Sequence, residues 1–303
     1  MELLYLLERI RHPVLDKLML FFTQFGEMFI FLIITMVFFW CIDKRKGYYF
    51  AIVGLGGTVI NQFMKLWFRI PRPWMLDENF TIVEAAREGA SGYSFPSGHS
   101  QSAVSTYAAI ALLTKRRWLK ITAVIIAIIV PFTRLYLGVH TPADVLVGSA
   151  IALLLVFALK PILFGPEGIT MWSLAAILLI SAGYLCYTQF YKFPQDIDQS
   201  CLNSGSENAL SMFGAVLGLF TAYIVDKKWI NFSTKAVWWV QVFKVILGLL
   251  LMLAVKEILK TPFHDLFGEE LGRILRYFFL TLTAGALWPM SFSWFGRLGM
   301  KES

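Results

Sequence analysis

The fold turns on one stretch, SGYSFPSGHSQSAVSTYAAIALL, residues 91–113. Its opening is rich in Ser, Gly and Pro, the composition of a turn. The remainder is an apolar run with the character of a helix entering a bilayer. Pro96 sets the turn, Ser97 is placed to cap the helix, and Gly98 lets the backbone approach a ligand closely. A helix start of this kind presents free N–H groups and a partial positive charge to an anion. His99 stands in that first turn with a titratable proton.

The rest of the chain supports a membrane setting. Of 303 residues, 57% are hydrophobic and only 16% charged, against about 25% charged in a soluble domain. There is too little polar surface here to cover a water-exposed fold, so an all-α, polytopic membrane bundle is predicted. Nine apolar segments, near 26–41, 47–67, 98–114, 121–137, 143–163, 170–188, 209–226, 238–256 and 275–294, approach the roughly 20 residues that span a hydrocarbon core. The eighth carries Lys244, which must snorkel or mark a later start. The N-terminal MELLYLLERIRHPVLDK carries Glu2, Glu8, Arg9 and Arg11 within its apolar pattern. It reads as an interfacial amphipathic helix over 1–25 and not as a signal peptide. A core of five spans follows over 26–163, then a four-helix membrane extension over 164–303.

Charge sets the expected orientation. The connections DKRK (43–46), TKRRWLK (114–120) and DKKWINFSTK (226–235), the one holding Lys160, and the tail with Arg297 and Lys301 are short and basic. The intervening connections mix in Asp77, Glu78, Glu84, Glu88, then Asp196, Asp198, Glu207, then Asp265, Glu269 and Glu270. The positive-inside rule places the basic loops in the cytoplasm, with the N-terminus outside and the C-terminus cytoplasmic. The net charge of +7 therefore records topology, and no nucleic-acid partner is expected. Cys41, Cys186 and Cys201 fit no zinc or redox spacing.

Three polar islands fall on the expected outer face. The first is KLWFRIPRP, Lys65 to Pro73; Lys65 and Arg72 are two helical turns apart, and Pro71 and Pro73 end the helix. The second is PSGHS, already described. The third is TRLYLGVHTPAD, Thr133 to Asp144. There Thr141 suits an N-cap and Pro142 a first helical residue. Asp144 follows His140 at i,i+4, so its carboxylate can accept from one ring nitrogen and leave the other basic. Lys65, Arg72 and Arg134, an anion-binding helix start and two histidines at one membrane depth call for a phosphate. No Asp/Glu/His cluster has metal-ligand spacing, so the cations are expected to supply the charge neutralisation, with no metal and no cofactor. Gln24 and Glu27, near the outer start of the first span, read as a boundary. Residues 74–95 form either a lid or lipid entrance or a solvated loop, with Trp74, Tyr93 and Phe95 suited to the interface.

Lysine, six residues, Arg-Pro; Pro-Ser-Gly-His; then Arg, five residues, His, three residues, Asp: this order resembles the signature of the type 2 phosphatidic acid phosphatase superfamily. The resemblance covers Lys65 to Asp144 and departs in one place, Thr133 standing where the third motif usually opens with serine. It implies that His140 attacks phosphorus to form a phosphohistidine, and that Asp144 orients it. It implies further that His99 protonates the leaving oxygen, and that Lys65, Arg72, Ser97, Gly98 and Arg134 hold the phosphate oxygens. A lipid phosphate or diphosphate is the expected substrate, handled by an integral protein of a bacterial plasma membrane with its site on the extracytoplasmic face. A phosphotransferase, a glucose-6-phosphatase-like hydrolase and a silent lipid-binding or translocating protein are the alternatives. The last four segments carry no readable motif; Lys256, Glu257 and His264 are their only candidates for reaching the site.

Overall fold

In a bilayer every backbone polar group must be satisfied within its own segment, which favours helices. Among the described residues of the computed structural model, 1–166 and 168–297, every regular element is helical. In chain order the α-helices of eight or more residues are α1 Glu2–Arg9, α2 Pro13–Thr23, α3 Met28–Val37, α4 Lys44–Phe68, α5 Gly98–Leu113, α6 Arg117–Tyr136, α7 Pro142–Ala158, α8 Gly168–Phe190, α9 Gln199–Val225, α10 Trp238–Ile258 and α11 Lys260–Leu282. The predicted basic tail at Lys301 and the end of the predicted extension, 298–303, lie outside the described residues.

Helices run through all the predicted apolar segments, but they are not equal. Among the described residues, five stretches are long and apolar enough to cross a membrane: Arg117–Tyr136, Pro142–Phe164, Gly168–Phe190, Gln199–Ile230 and Trp238–Ile258. A sixth is gained if Pro13–Gly26 and Met28–Ile42, bent by 46°, form one broken span. The others fall short for visible reasons. α4 begins Lys44-Arg45-Lys46 and ends near Lys65. α5 has 16 residues, roughly 24 Å of helix. α11 carries Glu269, Glu270, Arg273 and Arg276, and Gly268 breaks it with φ 76°.

The chain divides into two compact units. The first comprises 1–32, 56–159 and 192–205. Its centre is α5, packed on α6 and α7. α5 allows this because its buried side chains are mostly small, among them Ser100, Ala103, Ser105, Ala109 and Ala111, and small residues let apolar helices approach closely. α2 packs on α6. The predicted N-terminal helix is broken at 10–12, where Arg11 donates to Tyr136 O at 3.0 Å and Thr81 O at 2.7 Å. Residues 74–95 are correspondingly pinned. Tyr5 donates to Asp77 at 2.7 Å, Val83 N to Leu137 O at 3.1 Å, and Phe80 and Ile82 bury against Leu4.

The second unit comprises 33–55, 160–191 and 206–303. Lys44 pairs with Asp226 at 2.9 Å, and Trp40 donates to Ala284 O at 2.9 Å. Lys244 is buried; its ammonium lies 3.4 Å from Thr234 O and 4.3 Å above the Phe292 ring. It thus finds partners inside the protein. Lys256, Glu257 and His264 line a cavity of about 650 Å³ together with Glu207, Lys260 and Arg273, all of this unit.

Candidate active site

The third island is built by two opposed helix ends. α6 stops at Tyr136, and Gly138 turns the chain with φ 80°. A side chain there would be strained and would meet Arg11 Nη2 at 2.6 Å and the Phe80 ring at 3.0 Å. Thr141 then opens α7 with a reciprocal cap: its Oγ1 accepts from Asp144 N at 3.3 Å, and Asp144 Oδ2 accepts from Thr141 N at 2.7 Å. The same Oδ2 accepts from the Ser94 hydroxyl at 2.5 Å and faces His140 Nδ1 at 3.4 Å. The cap thereby fixes the carboxylate that orients the imidazole.

On the other side of the ring, Arg72 Nη1 lies 3.0 Å from His140 Nε2. A guanidinium only donates. Nε2 is therefore the acceptor, its lone pair turned toward Arg72, and the ring proton sits on Nδ1 toward Asp144 and Ser94. His140 and Asp144 are 2% and 1% exposed. Burial, followed by the charges of Arg72, Lys65, Arg134 and His99, holds His140 well below the ordinary imidazole range, which favours the uncharged ring. Burial, eased by Asp144, brings Arg72 down to about 10, still cationic at neutral pH.

The predicted cations differ in what they offer. Lys65 donates to the carbonyls of Tyr93 and Ser94. Arg72 donates to Gly92 O at 3.0 Å, Ser91 O at 2.8 Å and Val139 O at 2.9 Å. Both therefore hold the 91–94 stretch of the loop beside the dyad. Arg134 is buried and spends one nitrogen on Thr23 Oγ1 at 2.8 Å; its Nε and Nη2 have no partner. Buried N–H groups left unpaired are costly, so Arg134 keeps donor capacity that Thr23 does not use.

The helix start is tied to the same centre. Ser97 accepts from Ser100 N at 3.4 Å, and its own N–H donates to Asp144 O at 2.9 Å. That approach needs Gly148, where an added Cβ would sit 2.6 Å from Ser97 O. Gly98 begins α5, and His99 follows with its Nε2 2.9 Å from Glu27 Oε1. His99 makes no hydrogen bond to the dyad but its charge acts on His140. All eight predicted site residues thus belong to the first unit, around His140.

Two contributors were not singled out from sequence. Glu27, which the sequence places at a span boundary, is the partner of His99. Ser94, a single serine in a long loop, bridges the dyad. Among the described residues no three His, Cys, Asp or Glu side chains gather as metal ligands. The arrangement can present a lone pair to phosphorus, two unpaired guanidinium nitrogens and a helix start to phosphate oxygens, and a second imidazole to a leaving oxygen.

A helical membrane protein with such a cradle is of the phosphatase class, and comparison with known proteins gives the family. Residues 45–165 match the PAP2 superfamily, and 210–301 match the PAP2 superfamily phosphatase transmembrane extension. The chain is 32% identical over 148 residues to undecaprenyl-diphosphatase BcrC of Bacillus subtilis, covering 48% of this chain and 74% of the relative. It is 30% identical to an undecaprenyl-diphosphatase of Sulfolobus acidocaldarius, covering 48% and 70%. It is 32% identical to phosphatidylglycerophosphatase B of B. subtilis, covering 50% and 76%. No solved structure matches the chain. The chain belongs to the PAP2 superfamily and is an integral-membrane phosphatase.

Proposed function

We propose that this enzyme hydrolyses a lipid phosphate or diphosphate through a phosphohistidine on His140. His140 Nε2 attacks phosphorus in line, the bond from phosphorus to the leaving oxygen breaks, and His99 gives that oxygen its proton. A water then attacks the phosphohistidine, His99 accepts its proton, and inorganic phosphate leaves. Asp144, with Ser94, keeps the proton on Nδ1 and offsets the positive charge of the phosphorylated ring. Glu27 holds His99 Nε2, leaving Nδ1 for the substrate. Lys65, Arg72, Arg134, Ser97 and the Gly98 N–H hold the phosphate oxygens, Arg72 releasing Nε2 as they arrive. The cations stand where a metal would otherwise neutralise charge.

The observation that carries this reading is the His140 Nε2 lone pair, oriented by the buried Asp144 carboxylate on the far side of the ring and met by the Arg72 guanidinium at 3.0 Å. The names of the relatives favour a lipid substrate, as does a site at helix ends, which a lipid reaches with its tail still in hydrocarbon. We further propose an arrangement of nine spans, the N-terminus outside and the C-terminus cytoplasmic. In this arrangement 1–25 is an interfacial lead-in, 26–163 the phosphatase core and 164–303 the extension. The site then faces away from the cytoplasm, in a bacterial plasma membrane.

The test is phosphate release by purified protein in detergent with EDTA, across undecaprenyl diphosphate, phosphatidic acid, phosphatidylglycerol phosphate, sphingosine phosphate and glucose 6-phosphate. Turnover of a lipid, lost in His140→Ala, supports the proposal. Turnover of glucose 6-phosphate alone, or activity that EDTA removes and magnesium restores, would contradict it.

A further inference from the structure

Asn61 lies one helical turn before Lys65 on α4, on the same face. It is 1% exposed, and neither Oδ1 nor Nδ2 has a partner. A buried carboxamide with both ends unpaired is rare in a folded protein. Its position is informative: a Cβ built on Gly98 would stand 3.8 Å from Asn61 Oδ1. The amide therefore faces the start of α5, where free backbone N–H groups and the helix dipole favour an anion.

We infer that Asn61 is a further phosphate-binding residue: its N–H donates to a phosphate oxygen held at the Ser97–Gly98 turn. This rests on the phosphate-site reading given above and adds a residue to it. A neutral donor suits the position, because Lys65, Arg72 and Arg134 already supply the positive charge, and a fourth cation would repel them. An amide adds directionality without adding charge. A buried amide with no partner within the protein carries a desolvation cost that a bond to a phosphate oxygen would offset.

That cost makes the inference separable from a packing role. Asn61→Leu keeps the branching and the number of heavy atoms and removes both polar ends, and Asn61→Ala removes them without adding bulk. The full chain in detergent is titrated with inorganic phosphate, following the thermal midpoint and calorimetric heat, for wild type, Asn61→Leu and Asn61→Ala. Loss of one hydrogen bond to a charged oxygen weakens phosphate by about ten- to a hundredfold. The ligand-free midpoint of Asn61→Leu should equal or exceed that of wild type, because an unpaired polar group has been removed. Equal phosphate affinity in wild type and both variants would overturn the inference and leave the phosphate site standing. No phosphate binding by folded wild type would overturn the phosphate-site reading itself, and this inference with it.

Discussion

Asp144→Asn isolates the part of the mechanism that places positive charge on His140. Nδ1 and Oδ2 are 3.4 Å apart and almost fully buried, so little solvent screening applies. A unit charge pair at that distance is worth about 5 kcal/mol at an effective dielectric constant of roughly 20. Ser94 and Thr141 already donate to the same oxygen at 2.5 and 2.7 Å, and an asparagine carbonyl keeps part of the dipole. The net loss should be about 3–4 kcal/mol in the transition state, roughly 10²–10³ in kcat/KM. The cap survives, since the asparagine oxygen can still accept from Thr141 N. The assay is kcat/KM for the best lipid substrate in detergent, with the thermal midpoint of each protein alongside. A loss below tenfold from folded Asp144→Asn would refute the reasoning. Ser94→Ala should cost less, and the double variant should fall short of the summed single losses, because both act through one carboxylate.

Three further outcomes are expected. Glu27→Gln should lower kcat about five- to tenfold with KM little changed, the effect of one charge-assisted bond discounted for a carboxylate 41% exposed; a change confined to KM would argue against orientation of His99. Because burial and the surrounding cations depress His140, kcat/KM should hold as pH falls below 6.5 and fail only at the lower folded-state value. Arg72→Gln removes one of those cations and should move this acid limb upward; a limb that stays or moves down contradicts the assignment. Gly138→Ala forces φ 80° on an alanine against Arg11 and Phe80. It should cost about 1–3 kcal/mol, read as a lower thermal midpoint in detergent; an unchanged midpoint would show that the turn relaxes freely.

The site residues legible in the sequence were those whose partners are close in the chain. Asp144 follows His140 at i,i+4 and Thr141 lies between them, so both the dyad and the cap can be read from spacing alone. Ser97 announces itself as a cap in the same way. Glu27 and Ser94 were not legible because their partners are 72 and 46–50 residues away, and only the packing of α2, α6 and the 69–97 loop brings them in. Likewise the charge of Lys65 and Arg72 was visible, whereas their use in holding carbonyls 91–94 and 139 was not. Lys244 was flagged as a problem by its type, but its solution at Thr234 and Phe292 depends on the second unit's fold.

The most direct test of the account is to trap the phosphoenzyme. Purified wild type would be mixed with the best lipid substrate, quenched with base within one turnover, digested and mapped by mass spectrometry. The account predicts an acid-labile phosphate on His140, formed at least as fast as phosphate is released and absent from His140→Ala. Turnover without any phosphorylated residue, or phosphate carried on another side chain, would contradict it.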